Sequence, residues 1–140
     1  MPAAMVSALC FTVALFMTTA YFLMGSVPLL ILKHDTHIDS RFIRGFYDTY
    51  YLAAMFSASG TSLSYAFAGR PAYAIGAAAL AMLAAVLRAK VLGKMDLLRA
   101  QIQADHAGAI PGFRKTHLTA ILINFIQMII IVWSLTTLSL

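Results

Sequence analysis

The chain has 140 residues, of which 61% are hydrophobic and 11% are charged, and its net charge is +5. A soluble domain of this size needs a polar surface with about 25% charged residues, so the composition excludes an ordinary soluble domain and favours a single domain in a lipid bilayer. Disorder and a collagen-like fibre are excluded because apolar residues dominate. One cysteine, Cys10, excludes an intrachain disulfide.

Charged residues divide the chain into four apolar stretches, each long enough for a transmembrane helix. Such a helix needs about 20 apolar residues to cross a hydrocarbon core of about 30 Å. The sequence predicts spans at about 6–30, 46–68, 71–93 and 113–138, with cytoplasmic loops at 33–45 and 94–112. The predicted fold class is therefore all-α, a polytopic four-helix bundle that forms one domain over residues 1–140.

The first apolar stretch carries no charged side chain before Lys33. A signal peptide would begin with a basic segment, so the pattern favours a retained membrane helix. At about 1.5 Å per residue this stretch is longer than the hydrocarbon core. We expect Gly25, Ser26 and Pro28 to shorten or kink the helix.

Small residues follow one face of the second span and one face of the third. The second span has them at i, i+3, i+4 and i+7, namely at Ser57, Gly60, Thr61 and Ser64. The third span repeats alanine at Ala77, Ala81 and Ala85. Small faces let membrane helices approach closely, and the turn at 69–71 joins these spans, so we predict an antiparallel pair. An ion or substrate path along the second span is the alternative.

Strong helix formers continue beyond the third span, so the third helix is predicted to project from the membrane.

Basic residues are distributed unequally between the two predicted sides of the membrane. The side of the two longer loops holds nine of the ten, namely Lys33, Arg41, Arg44, Arg88, Lys90, Lys94, Arg99, Arg114 and Lys115. The other side holds Arg70. By the positive-inside rule, the loops lie in the cytoplasm and both termini lie on the non-cytoplasmic side. The positive charge thus reflects topology and contact with anionic lipid rather than nucleic-acid binding.

Three polar residues of the fourth span share one helix sector. His117, Asn124 and Gln127 are seven and three residues apart. Amides exposed to hydrocarbon lose their hydrogen bonds, so these side chains are predicted to face protein. They either form interhelical hydrogen bonds or bind a cofactor or another ligand.

Asp48 is predicted near the start of the second span, at a depth similar to that of His117. A carboxylate there must be paired, protonated or hydrated. His117 and the basic Arg114 or Lys115 are its predicted partners. His117 and Asp48 are therefore the candidate catalytic residues, as a proton-transfer pair, and the alternative is a salt bridge between helices.

The loop after the first span offers a possible metal site. His34 and His37 lie among Asp35 and Asp39, and imidazole and carboxylate groups bind zinc, copper and iron. The metal hypothesis takes His34, His37 and His117 as ligands, with His106 as an alternative to His117; a solvated loop is the other interpretation. Haem would require an axial histidine near the spans, for which His117 is the candidate.

Aromatic residues predict the two membrane interfaces. Tyr47, Tyr50 and Tyr51 are expected to form an interfacial belt on the cytoplasmic side. On the opposite side the belt is expected at Tyr65, Tyr73 and Trp133.

The motif Phe113-Arg114-x-x-His117 followed by Asn124 resembles the closing signature of a family of small four-span bacterial membrane proteins. The resemblance covers mainly residues 91–127 and implies a four-span fold. More distantly, the chain is similar to anthrone-oxygenase-like membrane proteins, and that likeness implies oxidation of a polycyclic substrate at a membrane.

The sequence predicts a multi-pass protein of the bacterial inner membrane that acts as an interaction or accessory subunit, packed against copies of itself or another membrane protein. One alternative is a membrane oxidoreductase or cofactor binder that holds a quinone or polycyclic aromatic in a cytoplasmic-side pocket of Asp48, His117, Asn124 and Gln127. A second alternative is an oligomeric exporter or channel. No particular cofactor is indicated.

Overall fold

The computed structural model describes residues 3–31 and 36–138, apart from the side chain of His37. These residues form four α-helices. The helices are α1 (Ala3–Leu29), α2 (His37–Phe67), α3 (Pro71–Gln103) and α4 (Ala109–Thr137). The all-α prediction is confirmed.

The helices form an up-and-down bundle. In the described part of the chain, α1 and α3 each pack against α2 and α4, and the two diagonal pairs have no close backbone contact. Every third or fourth residue of α1 faces the interior, namely Met5, Ala8, Thr12, Leu15, Thr19, Phe22 and Ser26. This alternation of three and four residues is the pattern of helices that cross at a small angle.

Local signals define the helix ends. The Thr36 hydroxyl accepts a hydrogen bond of 3.1 Å from the backbone N–H of Asp39 and so caps the start of α2. Gly69 has a φ of +69°, which glycine adopts without strain, and Pro71 opens α3. This short turn makes α2 and α3 an antiparallel pair, as predicted.

Two helices are longer than their predicted spans. α2 begins at His37, so much of the loop predicted at 33–45 is helical. α3 continues to Gln103 and has 33 residues, a length of about 50 Å. Helix α1 is not interrupted at Gly25 and Ser26 and ends at Leu29, directly after Pro28. The helix therefore ends at the predicted proline, whereas Gly25 and Ser26 do not break it.

The small-residue face of α2 packs against α1. Gly60 lies against α1, since a Cβ added there would come within 2.5 Å of the Phe11 ring. Ser57 and Thr61 of the same face are buried. The adjacent Ser62 hydroxyl, outside this face, donates to the Ala74 carbonyl of α3 over 2.8 Å. The face therefore packs within the bundle rather than remaining available on its surface.

Three of the four helices, α1, α3 and α4, are long and apolar enough to cross a membrane. Many of their large apolar side chains are exposed, among them Met17, Leu122 and Ile129. An apolar exterior of this kind is typical of a protein surrounded by lipid. The chain is thus a helical bundle with the composition of a multi-pass membrane protein.

Candidate functional site

A layer of buried polar side chains crosses the bundle near the charged end. His117 is fully buried, and its Nε2 lies 3.0 Å from the Ser26 hydroxyl of α1. Ser26 lies 3.2 Å from the Tyr47 hydroxyl of α2, which donates to the His117 carbonyl over 3.0 Å. These contacts join three helices through hydrogen bonds between buried groups, which are stronger than the same bonds at a hydrated surface.

A second polar contact lies deeper on the same helices. The Tyr50 hydroxyl of α2 donates to Asn124 Oδ1 of α4 over 2.6 Å. The amide nitrogen of Asn124 donates to the Ala120 carbonyl over 2.7 Å. Phe22 of α1 stacks on Tyr50 with ring centroids 4.0 Å apart. The tyrosines thus connect α2 to its diagonal neighbour α4 across the centre of the bundle.

There is little free space around this layer. Gln127 lines a cavity of about 10 Å³ together with Thr19 and Tyr50, which is about the room that one water molecule needs. Among the described residues, the buried Tyr51 hydroxyl has no hydrogen-bond partner of normal geometry. The arrangement can hold a histidine in a fixed orientation beside two hydroxyls, but it leaves no space for a quinone or a haem.

The fourth-helix residues face protein, as their helical spacing predicts. His117 and Asn124 are fully buried and Gln127 is nearly so. The tertiary structure brings them together with Ser26 and Tyr50, which were not among the predicted site residues. A signal for Ser26 exists in the sequence, because Thr12, Thr19 and Ser26 recur every seven residues along α1.

Asp48 is not paired with His117, and that prediction is wrong. Its two carboxylate oxygens contact Arg88 of α3 over 2.9 Å and Arg44 of α2 over 3.3 Å. Arg44 also contacts Asp96 of α3 over 3.0 Å. The reason is geometric: Asp48 lies on the face of α2 that packs against α3, whereas His117 lies on α4, across the bundle.

The four charged residues of this network, Arg44, Asp48, Arg88 and Asp96, connect α2 to α3 at one end of the bundle. The hydrogen bond to Asp96 raises the pKa of Arg44, and Asp48 adds to that effect. The side chains are 26–46% exposed, so each pair contributes little free energy. The network fixes the orientation of α2 relative to α3 more than it adds to the stability of the fold.

The proposed metal ligands are only partly described. His34 lies outside the described residues, as does the side chain of His37. His117 is bonded to Ser26 through Nε2. Among the residues that the structure describes, no group of three His, Cys, Asp or Glu side chains is arranged to hold a metal ion.

The tyrosines predicted as a cytoplasmic belt are instead interior residues. Tyr47, Tyr50 and Tyr51 are all buried. Their hydroxyls and rings fill the centre of the bundle because α2 presents residues 47, 50, 51, 54 and 58 on its inner face. The belt prediction is therefore wrong for these three residues.

In comparisons with protein-family models, curated proteins and solved structures, none matches this chain.

The Tyr50–Asn124 contact can be measured by a double-mutant cycle. We expect Asn124→Leu to lower the free energy of unfolding by about 1 to 3 kcal/mol, since it leaves the Tyr50 hydroxyl buried and unpaired. In the Asn124→Leu background, a further Tyr50→Phe change should cost less than it does alone, or restore stability. Chemical or thermal unfolding in detergent measures the stability of the wild type, the two single variants and the double variant. Additive effects would contradict the hydrogen bond.

Proposed function

We propose that this chain is a four-span protein of the bacterial inner membrane with both termini on the non-cytoplasmic side. In this proposal α2 also crosses the membrane, in addition to α1, α3 and α4. Its hydroxyl-bearing residues favour an interior position, because Ser57 and Thr61 are buried and Thr61 donates to the Ser57 carbonyl. The nine-to-one distribution of basic residues supports the orientation.

Within that membrane arrangement, we propose that the protein acts as an interaction or accessory subunit. The supporting observation is an apolar groove between the end of α3 and the start of α4. Leu97, Ala100, Ala104 and Gly112 are among its lining residues, and all of them belong to the segment 94–112 that lies outside the proposed spans. Lipid would not cover this groove.

The exposure of Leu97 is the strongest sign of a partner. This side chain is 62% exposed, and in the cytoplasmic segment its surroundings would be water. Apart from Gln101 and His106, the described residues that line the groove are apolar or glycine. An exposed apolar surface outside the membrane is typical of a protein contact, so an apolar side chain of a partner or of another copy would fill the groove.

The polar layer also favours a non-catalytic subunit over the oxidoreductase alternative. His117 and Asn124 are bonded to other side chains of the bundle, and the adjoining cavity is far smaller than the 300 Å³ or so that a ligand pocket needs. These groups are well placed to fix the helices relative to one another. They are poorly placed to receive a cytoplasmic-side cofactor.

The test is native mass spectrometry of the protein purified from its own membranes in mild detergent. We expect the wild type to retain a stoichiometric membrane partner or further copies of the chain. Leu97→Glu should reduce the assembled fraction about tenfold or more, because burial of an unpaired carboxylate costs more than about 1.4 kcal/mol.

Gln103→Glu is the matched control, since it adds the same single negative charge at an exposed position of the same helix outside the groove. This variant should assemble like the wild type. A wild type that is always a single chain would rule out the subunit function. Equal loss in both variants would rule out the groove as the contact surface.

A further inference from the structure

A separate cavity of about 350 Å³ lies at the opposite end of the bundle from the charged network. Residues of α3 and α4 form its walls, and α1 and α2 contribute Thr12, Leu15, Thr61 and Tyr65. It shares Leu15, Leu80 and Ile131 with the small cavity beside Gln127, whereas Ser26, Tyr47, His117 and Asn124 do not line it. A volume in the range of known small-molecule sites distinguishes it from the narrow cavity beside Gln127.

The cavity exists because α3 carries small side chains where it faces α4. Ala72, Gly76 and Ala77 all line it, and a Cβ added at Gly76 would meet no atom within 4 Å. Trp133 lines the cavity and is 67% exposed, so we place the mouth of the cavity beside this side chain. In the proposed bilayer a molecule dissolved in lipid would enter there.

Apart from the indole N–H of Trp133, the polar side-chain groups of the cavity are hydroxyls, most of which have already donated their hydrogen. Thr61, Ser134 and Thr137 donate to carbonyls of their own helices at 2.8–3.0 Å. Tyr73 donates to the Thr137 carbonyl over 3.0 Å. The oxygens of these hydroxyl groups can therefore accept a hydrogen bond from a ligand but cannot donate one.

Tyr65 is different, because it retains a hydrogen for a ligand. Its hydroxyl lies 3.5 Å from Thr12 Oγ1, but the single hydrogen of Thr12 is directed to the Ala8 carbonyl over 2.7 Å. The long contact leaves the phenolic hydrogen of Tyr65 without a strong acceptor among the described residues. Tyr65 is itself buried and lines the cavity.

We propose that this cavity binds a neutral lipophilic molecule whose polar end carries a hydrogen-bond acceptor, such as a ring carbonyl, that accepts from the Tyr65 hydroxyl. Among the described residues, none that lines the cavity is charged, so an ionised ligand would be buried without a counter-ion. The apolar walls, including Leu80 and Ile131, take the hydrocarbon part. This site is distinct from the proposed partner groove.

The experiment uses decylubiquinone, a neutral carbonyl compound with an apolar chain, as the probe. Trp133 is the only tryptophan of the chain and lines the cavity, and quinones quench tryptophan fluorescence on contact. For the full chain in detergent micelles we expect quenching that saturates at one probe per chain. Quenching that rises linearly with the probe in the micelle, without saturation, would overturn the proposal.

Three variants locate the binding. Gly76→Phe fills the cavity and should abolish the saturable quenching, and Ala72→Phe at the mouth is a second filling variant. Ala78→Phe adds the same ring on the exposed side of α3, away from the cavity, and should bind like the wild type. Saturable quenching that survives in both filling variants would place the probe elsewhere and overturn the proposal.

Tyr65→Phe tests the hydrogen bond. We expect about threefold to tenfold weaker binding, as is usual for one neutral hydrogen bond. Circular dichroism confirms that each variant remains helical. Unchanged affinity in a folded Tyr65→Phe protein would overturn the role of the Tyr65 hydroxyl and with it the requirement for an acceptor.

Discussion

A Phe22→Ala variant is expected to lose about 3 to 5 kcal/mol of folding stability, the usual cost of removing a buried aromatic side chain. Phe22 is 1% exposed and is the centre of an aromatic cluster. Its ring stacks on Tyr50 at 4.0 Å and meets Tyr47 edge-on at 4.9 Å. The substitution leaves a cavity where α1 meets α2, and the adjoining tyrosines lose the surface that holds them against α4.

Thermal unfolding of the purified protein, followed by circular dichroism in detergent, measures this effect. Met17→Ala is the matched control, because it also shortens a large side chain of α1 but at a position that is 60% exposed. We expect the control to unfold close to the wild-type temperature. A Phe22→Ala protein that is as stable as the Met17→Ala protein would show that the aromatic cluster contributes no packing energy.

A His117→Ala variant is expected to lose about 1 to 3 kcal/mol of stability and to accumulate at a lower level in membranes. The substitution removes the partner of the Ser26 hydroxyl at 3.0 Å and the ring that Tyr47 contacts edge-on at 5.4 Å. The Ser26 and Tyr47 hydroxyls remain buried in the variant. Ser26→Ala, which removes a smaller group from the same contact, should cost less.

The His117→Ala variant also distinguishes a structural role of the histidine from a catalytic one. A structural role predicts that melting temperature and membrane level fall together. Leu118→Ala is the control, since the neighbouring Leu118 side chain on the same helix is 46% exposed. If the His117→Ala protein has the wild-type melting temperature and level, the histidine does not hold the bundle together, and a chemical role for it becomes the better hypothesis.

Several features of this chain follow from local sequence alone. Its apolar stretches, each long enough to cross a bilayer, determine an all-helical fold. Gly69 and Pro71 determine a tight turn between α2 and α3, because one adopts a positive φ and the other suits a helix start. The spacing of His117 and Asn124 determines that both lie on one sector of α4.

Other features depended on contacts between helices far apart in the sequence. The partner of Asp48 was decided by which helix α2 faces at that position, and Arg88 lies 40 residues away. Spacing along α2 places Tyr47 and Tyr50 on one face, but only the packed bundle turns that face inward.

The cavity beside Trp133 likewise arises only in the packed bundle, from small residues of α3 opposite α4. A helix period fixes which residues share a face, whereas the packing of four helices decides what each face meets and where space remains.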